Sequence, residues 1–117
     1  MFRYENTVDR LKEAFPELPW EAAARDEITD LPYITYETLF VPYICEELRK
    51  NGAKLSEIFE YLETMACSED EEVQNLLQVG ILEALWDCDD VQGLVETYAK
   101  PETVKLYRKV AVFFRSK

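Results

Sequence analysis

No histidine occurs among the 117 residues. That removes the commonest general base, the usual Ser and Cys triads, and every zinc site that uses His. Glycine is scarce, and its three isolated occurrences build no phosphate-cradling loop. With five prolines beside them, turn residues are too few for a β-sandwich or barrel. The three cysteines, Cys45, Cys67 and Cys88, are odd in number and lie 22 and 21 residues apart. That spacing suits neither a metal site nor a disulfide framework, so free, half-buried thiols are expected. A nucleophilic cysteine needs a cationic neighbour, and Cys67 and Cys88 lie in an acidic stretch. An enzyme is therefore not expected, and no catalytic residue, metal or cofactor is assigned. The start, MFRYENTVDRL, has no apolar signal region. No apolar run approaches the ~20 residues that span a bilayer. These absences place the expected chain in the cytoplasm, away from membranes.

The most local absence is of positive charge. Residues 55–99 contain twelve Asp and Glu and no Lys or Arg. Six bases against one acid give residues 100–117 a net charge of +5, so residues 1–99 carry −16 of the total −11. Those bases are Lys100, Lys105, Arg108, Lys109, Arg115 and Lys117. A field of that sign repels nucleic acid and anionic membranes and attracts basic proteins. The plainer reading is that the acidity only keeps the protein soluble.

What is present is apolar and helical. Hydrophobic residues make up 48% of the chain, enough for a core and too many for a disordered acidic tail. The periodicity predicts an all-α compact bundle of about six or seven helices in one domain, residues 1–117. A first helix runs from Asn6 or Thr7 to Phe15, and Pro19 opens a second that carries Trp20, Ala23, Ala24 and Ile28. Residues 30–37 read as a connector. A third helix covers about 37–50 and ends at Asn51-Gly52, with Pro42 forcing a kink or a late start near Phe40. The fourth covers about 55–67. The fifth, 69–87, opens on a capping box from Ser68 to Glu71. It carries one stripe of Val73, Leu76, Leu77, Gly80, Ile81, Ala84 and Leu85 and a second of Val79, Leu82 and Trp86. Two stripes predict a central, buried helix, with Gly80 admitting a close neighbour. A sixth helix follows to Ala99 with Val91, Leu94, Val95 and Tyr98 inward. The seventh starts at Pro101, although VAVFF could alternatively form a strand. Short links make the last four helices two stacked hairpins, like a fragment of an α-solenoid.

The acids fall into candidate clusters. Glu57, Glu60 and Glu63 lie on the outer face of the fourth helix. Glu69, Asp70, Glu71 and Glu72 open the fifth helix, and Asp87, Asp89 and Asp90 close it. Two groups at the two ends of one helix suit an extended basic partner better than a point ligand. D-C-D-D at 87–90 fails the calcium-loop pattern at its fifth and sixth positions, so an acidic first turn is the preferred reading. Glu83, amid I-L-E-A-L-W, either forms a structural ion pair with Arg108 or Lys109, or stands at a groove mouth beside Trp86. Tyr33, Tyr36 and Tyr43 are either core or rim contacts.

The stretch VQNLLQVGILEALW at 73–86, with FPEL at 15–18, resembles a small, largely uncharacterised bacterial all-helical family similar to immunity proteins of bacterial toxin systems. The resemblance implies a cytoplasmic protein that caps a toxin, and it transfers no catalytic residue. Together with the charge it gives the leading expectation: an immunity or inhibitor protein whose acidic face binds a basic toxin domain, such as a nuclease. The alternatives are a nucleic-acid mimic that blocks a DNA-binding protein, and a plain intracellular helical scaffold or adaptor. Direct nucleic-acid binding is not expected, and the oligomeric state is not legible.

Overall fold

The computed structural model of the protein describes residues 2–115, so Lys117 lies outside the described residues. Seven helices form, with no strand among the described residues. A 3-10 turn, Tyr4–Asn6, leads into α1 (Thr7–Ala14), and α2 is Trp20–Arg25. Helix α3 spans 32–50 and α4 is Leu55–Ala66. Helix α5 spans 71–86, α6 is the broken pair Asp89–Gln92 and Val95–Tyr98, and α7 is Pro101–Arg115. VAVFF belongs to α7 and is helical. The radius of gyration, 13.5 Å, is that of one compact body of this length.

Helix α5 is the hub, packing against α3, α4 and α7. Its buried residues are Val73, Leu76, Leu77, Gly80, Ile81, Leu82 and Leu85, while Val79 is 43% exposed. The expected second stripe is therefore wrong at Val79. The reason is a π-helical turn over Leu76–Leu82, which holds one extra residue and slips a single buried stripe sideways by one position. Read at a constant 3.6 period, one slipped stripe looks like two. Gly80 faces α3: an added Cβ would lie 3.5 Å from the Tyr33 ring and 3.1 Å from Leu76.

The expected connector at 30–37 is helix from Pro32 onward. Pro32 occupies the first helical position, where no N–H is needed. Nor does Pro42 delay α3. A second π-helical turn, Tyr36–Phe40, precedes it, and Val41 N–H bonds the Tyr36 carbonyl five residues back. The widened turn relieves the clash between a proline ring and the carbonyl four residues before it. Helix α2 stops short of Ile28, because Glu27 takes a left-handed conformation at φ 59°. At the end of α3, Asn51 is also left-handed, at φ 51°, and Gly52 N–H returns to the Glu47 carbonyl at 2.9 Å.

Two further expectations change. Asp70, not Ser68, caps α5: its carboxylate accepts the Glu72 N–H at 3.0 Å. Ser68 is buried and donates to the Phe2 carbonyl at 2.7 Å. Leu94 is 36% exposed, since α6 breaks at Gly93 just before it.

The amino-terminal elements close the core through aromatic rings. Phe15, Phe40 and Tyr61 meet edge-on or tilted at 5.0–5.6 Å. Tyr36, fully buried, donates to the Thr7 carbonyl at 2.6 Å and meets the Tyr61 hydroxyl. No described helix is long and apolar enough to cross a membrane.

Candidate functional site

The ten acids fall into three kinds once placed. Glu63, Asp70 and Asp90 are used by the fold. Glu63 turns inward across the start of α7, where its Oε1 accepts the Thr103 N–H and hydroxyl, both at 2.9 Å, and its Oε2 accepts the Glu102 N–H at 3.1 Å. It thus caps a helix 39 residues further along the chain. Burial pushes its carboxyl up, but the hydrogen bonds from Thr103 and Glu102 outweigh that and leave it below its ordinary value. Asp70 caps α5 and also accepts the Tyr4 N–H at 2.9 Å, tying the amino terminus to the middle of the chain. Asp90 is gripped by the Arg49 guanidinium, at 2.5 Å from Nε and 3.1 Å from Nη2. That pair, with a further hydrogen bond from the Cys88 thiol, holds the Asp90 carboxyl down at about 2.

Glu57 is of the second kind, exposed but partnered. Lys54 bonds it at 3.2 Å and also approaches Glu17 at 3.8 Å. Reading the run of acids from residue 55 missed Lys54, which stands one position before it and turns back over its first member.

Glu60, Glu69, Glu71, Glu72, Asp87 and Asp89 are the third kind. All six are exposed, and among the described residues none of their carboxylates forms an ion pair. Four of them sit along α4 and into the start of α5. Beside Glu60 runs a cleft of about 610 Å³ lined also by Phe15, Glu57, Tyr61, Glu63, Thr64 and Lys100. It continues past Glu63 and Thr64 into a second depression, of about 540 Å³, that reaches Cys67 and Glu69. Asp87 and Asp89 stand apart, at the other end of α5.

The aromatic candidates separate in the same way. Tyr36 is core and touches no solvent, so it is not a contact residue. Tyr43 is half-buried and donates to Glu17 at 2.6 Å; burial and that bond push its phenol up. Tyr33 is half-buried, and its hydroxyl accepts from Asn75 at 2.6 Å. Trp86 is half-buried, with the Tyr107 ring edge-on at 5.8 Å and the Arg115 guanidinium 5.4 Å from its centroid. Its own chain already occupies the position that a partner's cation would take.

The expected Glu83–Arg108 ion pair does not form. Arg108 bonds Glu96 at 2.8 Å, and Glu83, half-buried, is in no ion pair among the described residues. Glu96 lies on α6. Glu96 belongs to the acidic run of residues 55–99.

Residues 8–115 match a family described as a domain of unknown function, DUF7674, and the chain belongs to that family. No curated protein and no solved structure matches the chain.

Proposed function

We propose that this member of DUF7674 is a protein-binding protein of the bacterial cytoplasm, an immunity or inhibitor protein that neutralises a basic toxin domain with its acidic face. The observation that carries the reading is the third class of acid above. Glu60, Glu69, Glu71 and Glu72 stay exposed and unpaired, in a segment where 45 residues carry no base at all. A surface kept only for solubility needs charge, but it has no need to exclude every lysine from three successive helices. Unpaired carboxylates beside a cleft raise the encounter rate with a cationic surface and select against anionic ones. The cleft beside Glu60 is lined also by Tyr61 and Thr64, which offer the contact a ring and a hydroxyl. No group in this reading performs chemistry; binding alone blocks the partner.

The test is capture of partners from the native cell lysate on tagged protein, at low and at high salt, read by mass spectrometry. A single basic protein, held at low salt and depleted at high salt, is the expected result. Its association rate should fall at least tenfold on the double reversal Glu71→Lys and Glu72→Lys, with the melting temperature little changed. A captured DNA-binding protein released by its own DNA would replace the toxin reading with nucleic-acid mimicry. A partner bound equally fast at both salts, or no specific partner, overturns the acidic face as the functional surface.

A further inference from the structure

Two of the three cysteines meet across the fold. Cys45 lies on α3 and is buried, at 6% exposed; Cys88 lies in the link between α5 and α6 and is half-buried. The carboxyl-terminal half of α3 packs against the end of α5 and the first turn of α6. There Cys88 lies near enough to Cys45 to act on its thiol. Arg49, one helical turn beyond Cys45, reaches over the same spot and places Nη2 3.1 Å from Cys88 Sγ. Asp90 bonds the same guanidinium through both Nε and Nη2. The Cys88 thiol donates in turn to Asp90 at 3.1 Å. A half-exposed sulfur, a fixed cation against it and a second, shielded sulfur make the set that dithiol chemistry needs.

We propose that Cys45 and Cys88 are a reversible dithiol–disulfide pair oxidised by hydroperoxides, with Cys88 attacking and Cys45 resolving. Cys88 loses its proton to water and attacks the peroxide as the thiolate, beside the Arg49 cation. The O–O bond breaks, one oxygen stays on sulfur as the sulfenic acid, and the other leaves and is protonated to water or an alcohol. The Cys45 sulfur, deprotonated in its turn, attacks the sulfenyl sulfur. The S–S bond forms, the S–O bond breaks, and hydroxide leaves to become water with the proton that Cys45 gave up. Two thiols and one hydroperoxide thus yield a disulfide, water and an alcohol or a second water. The order of attack follows from burial. Burial and then the contact with Cys88 push the Cys45 thiol up to about 11, so it stays protonated and out of reach until its neighbour is oxidised. Cys67 is exposed at the end of α4, and its thiol approaches the Glu63 carboxylate at 3.9 Å. The bond would tie α3 to the corner that carries Asp87 and Asp89, fixing one end of the acidic surface.

The full chain, reduced and then exposed to hydrogen peroxide, decides this by thiol counting under denaturing conditions and by peptide mass mapping. The three thiols of the reduced chain should fall to one, Cys67. A Cys45–Cys88 peptide should appear two hydrogens lighter than its reduced parts, and dithiothreitol should restore all three. The oxidised monomer should melt several degrees higher than the reduced one, since the cross-link closes a long loop. Cys67→Ser should leave the yield unchanged. Arg49→Gln should slow the reaction severalfold while the final product stays the same. Cys45→Ala should stop the reaction at a sulfenic acid on Cys88 that dimedone labels. The proposal is overturned if three thiols persist, if the loss falls on Cys67, or if folded Cys45→Ala gives no dimedone adduct on Cys88.

Discussion

Glu63 looked like one acid in a row of three, and its surroundings give it another task. It closes the first turn of α7 with three hydrogen bonds, and two of them satisfy N–H groups that no residue within α7 can reach. Glu63→Gln keeps the shape but weakens charge-assisted bonds, and it should cost about 1–2 kcal/mol in urea unfolding at neutral pH. The pH dependence has a fixed sign. Because the folded carboxyl sits below its ordinary value, its contribution is complete above the normal glutamate range and fades as the pH falls through the lowered folded value. The gap between wild type and Glu63→Gln should therefore shrink in acid, and a gap that widened there would contradict the cap. Gly52 makes a second point at this scale. A Cβ there would fall among the buried carboxylate atoms of Glu47, with the Glu47 carboxyl carbon 2.6 Å away. Glu47 is anchored by Lys50 at 2.9 Å and by the Lys54 N–H at 3.2 Å. Gly52→Ala should cost about 1–3 kcal/mol by thermal melting, although the positive φ belongs to Asn51 rather than to the glycine.

At the scale of elements, the residue pattern told most of the story where the period held. Helices α1 and α4 lie within two residues of their expected ends, because their apolar spacing is regular, and α7 starts at the expected Pro101. It misled where the period changed. The second stripe on α5 and the expected delay at Pro42 trace to π turns, which shift the buried positions without any composition signal. The candidate site was legible only in part. The local charge run located the acids, but their division into caps, pairs and free carboxylates depends on Arg49, Lys54 and Thr103. Arg49 and Thr103 are near their acids in space and about forty residues away in sequence, which no local pattern records, while Lys54 stands just outside the run. The π turn before Pro42 yields its own prediction. Pro42→Ala should change stability by less than about 1 kcal/mol in chemical denaturation. The gain of about 3 kcal/mol expected on removing a proline from an unrelieved helix interior should not appear.

For the molecule as a whole, charge is the least balanced quantity. At −11, with most carboxylates on one body, self-repulsion opposes compactness. Raising sodium chloride from about 0.02 M to 0.5 M shortens the screening length severalfold, and at pH 7 it should raise the melting temperature by a few degrees. A fall would mean that pairs such as Arg49–Asp90 outweigh the repulsion. Lowering the pH removes repulsion first and that pair last. Asp90 sits at about 2, so its contribution is complete above the ordinary aspartate range and is lost only as the pH falls through about 2.

The two π turns also say something about chain length. Each is one surplus residue absorbed inside a buried helix, so the faces on either side already fit a helix one residue shorter. Deleting Val79, exposed within the turn of α5, should let the turn close to an ordinary one and keep Val73 and Leu85 on the core, with helical circular dichroism retained. Deleting Ala84, beyond the turn, should not be tolerated. Insertions and losses are usually looked for in loops; here the seams where the chain can lengthen or shorten by one residue run through two helices packed on the core.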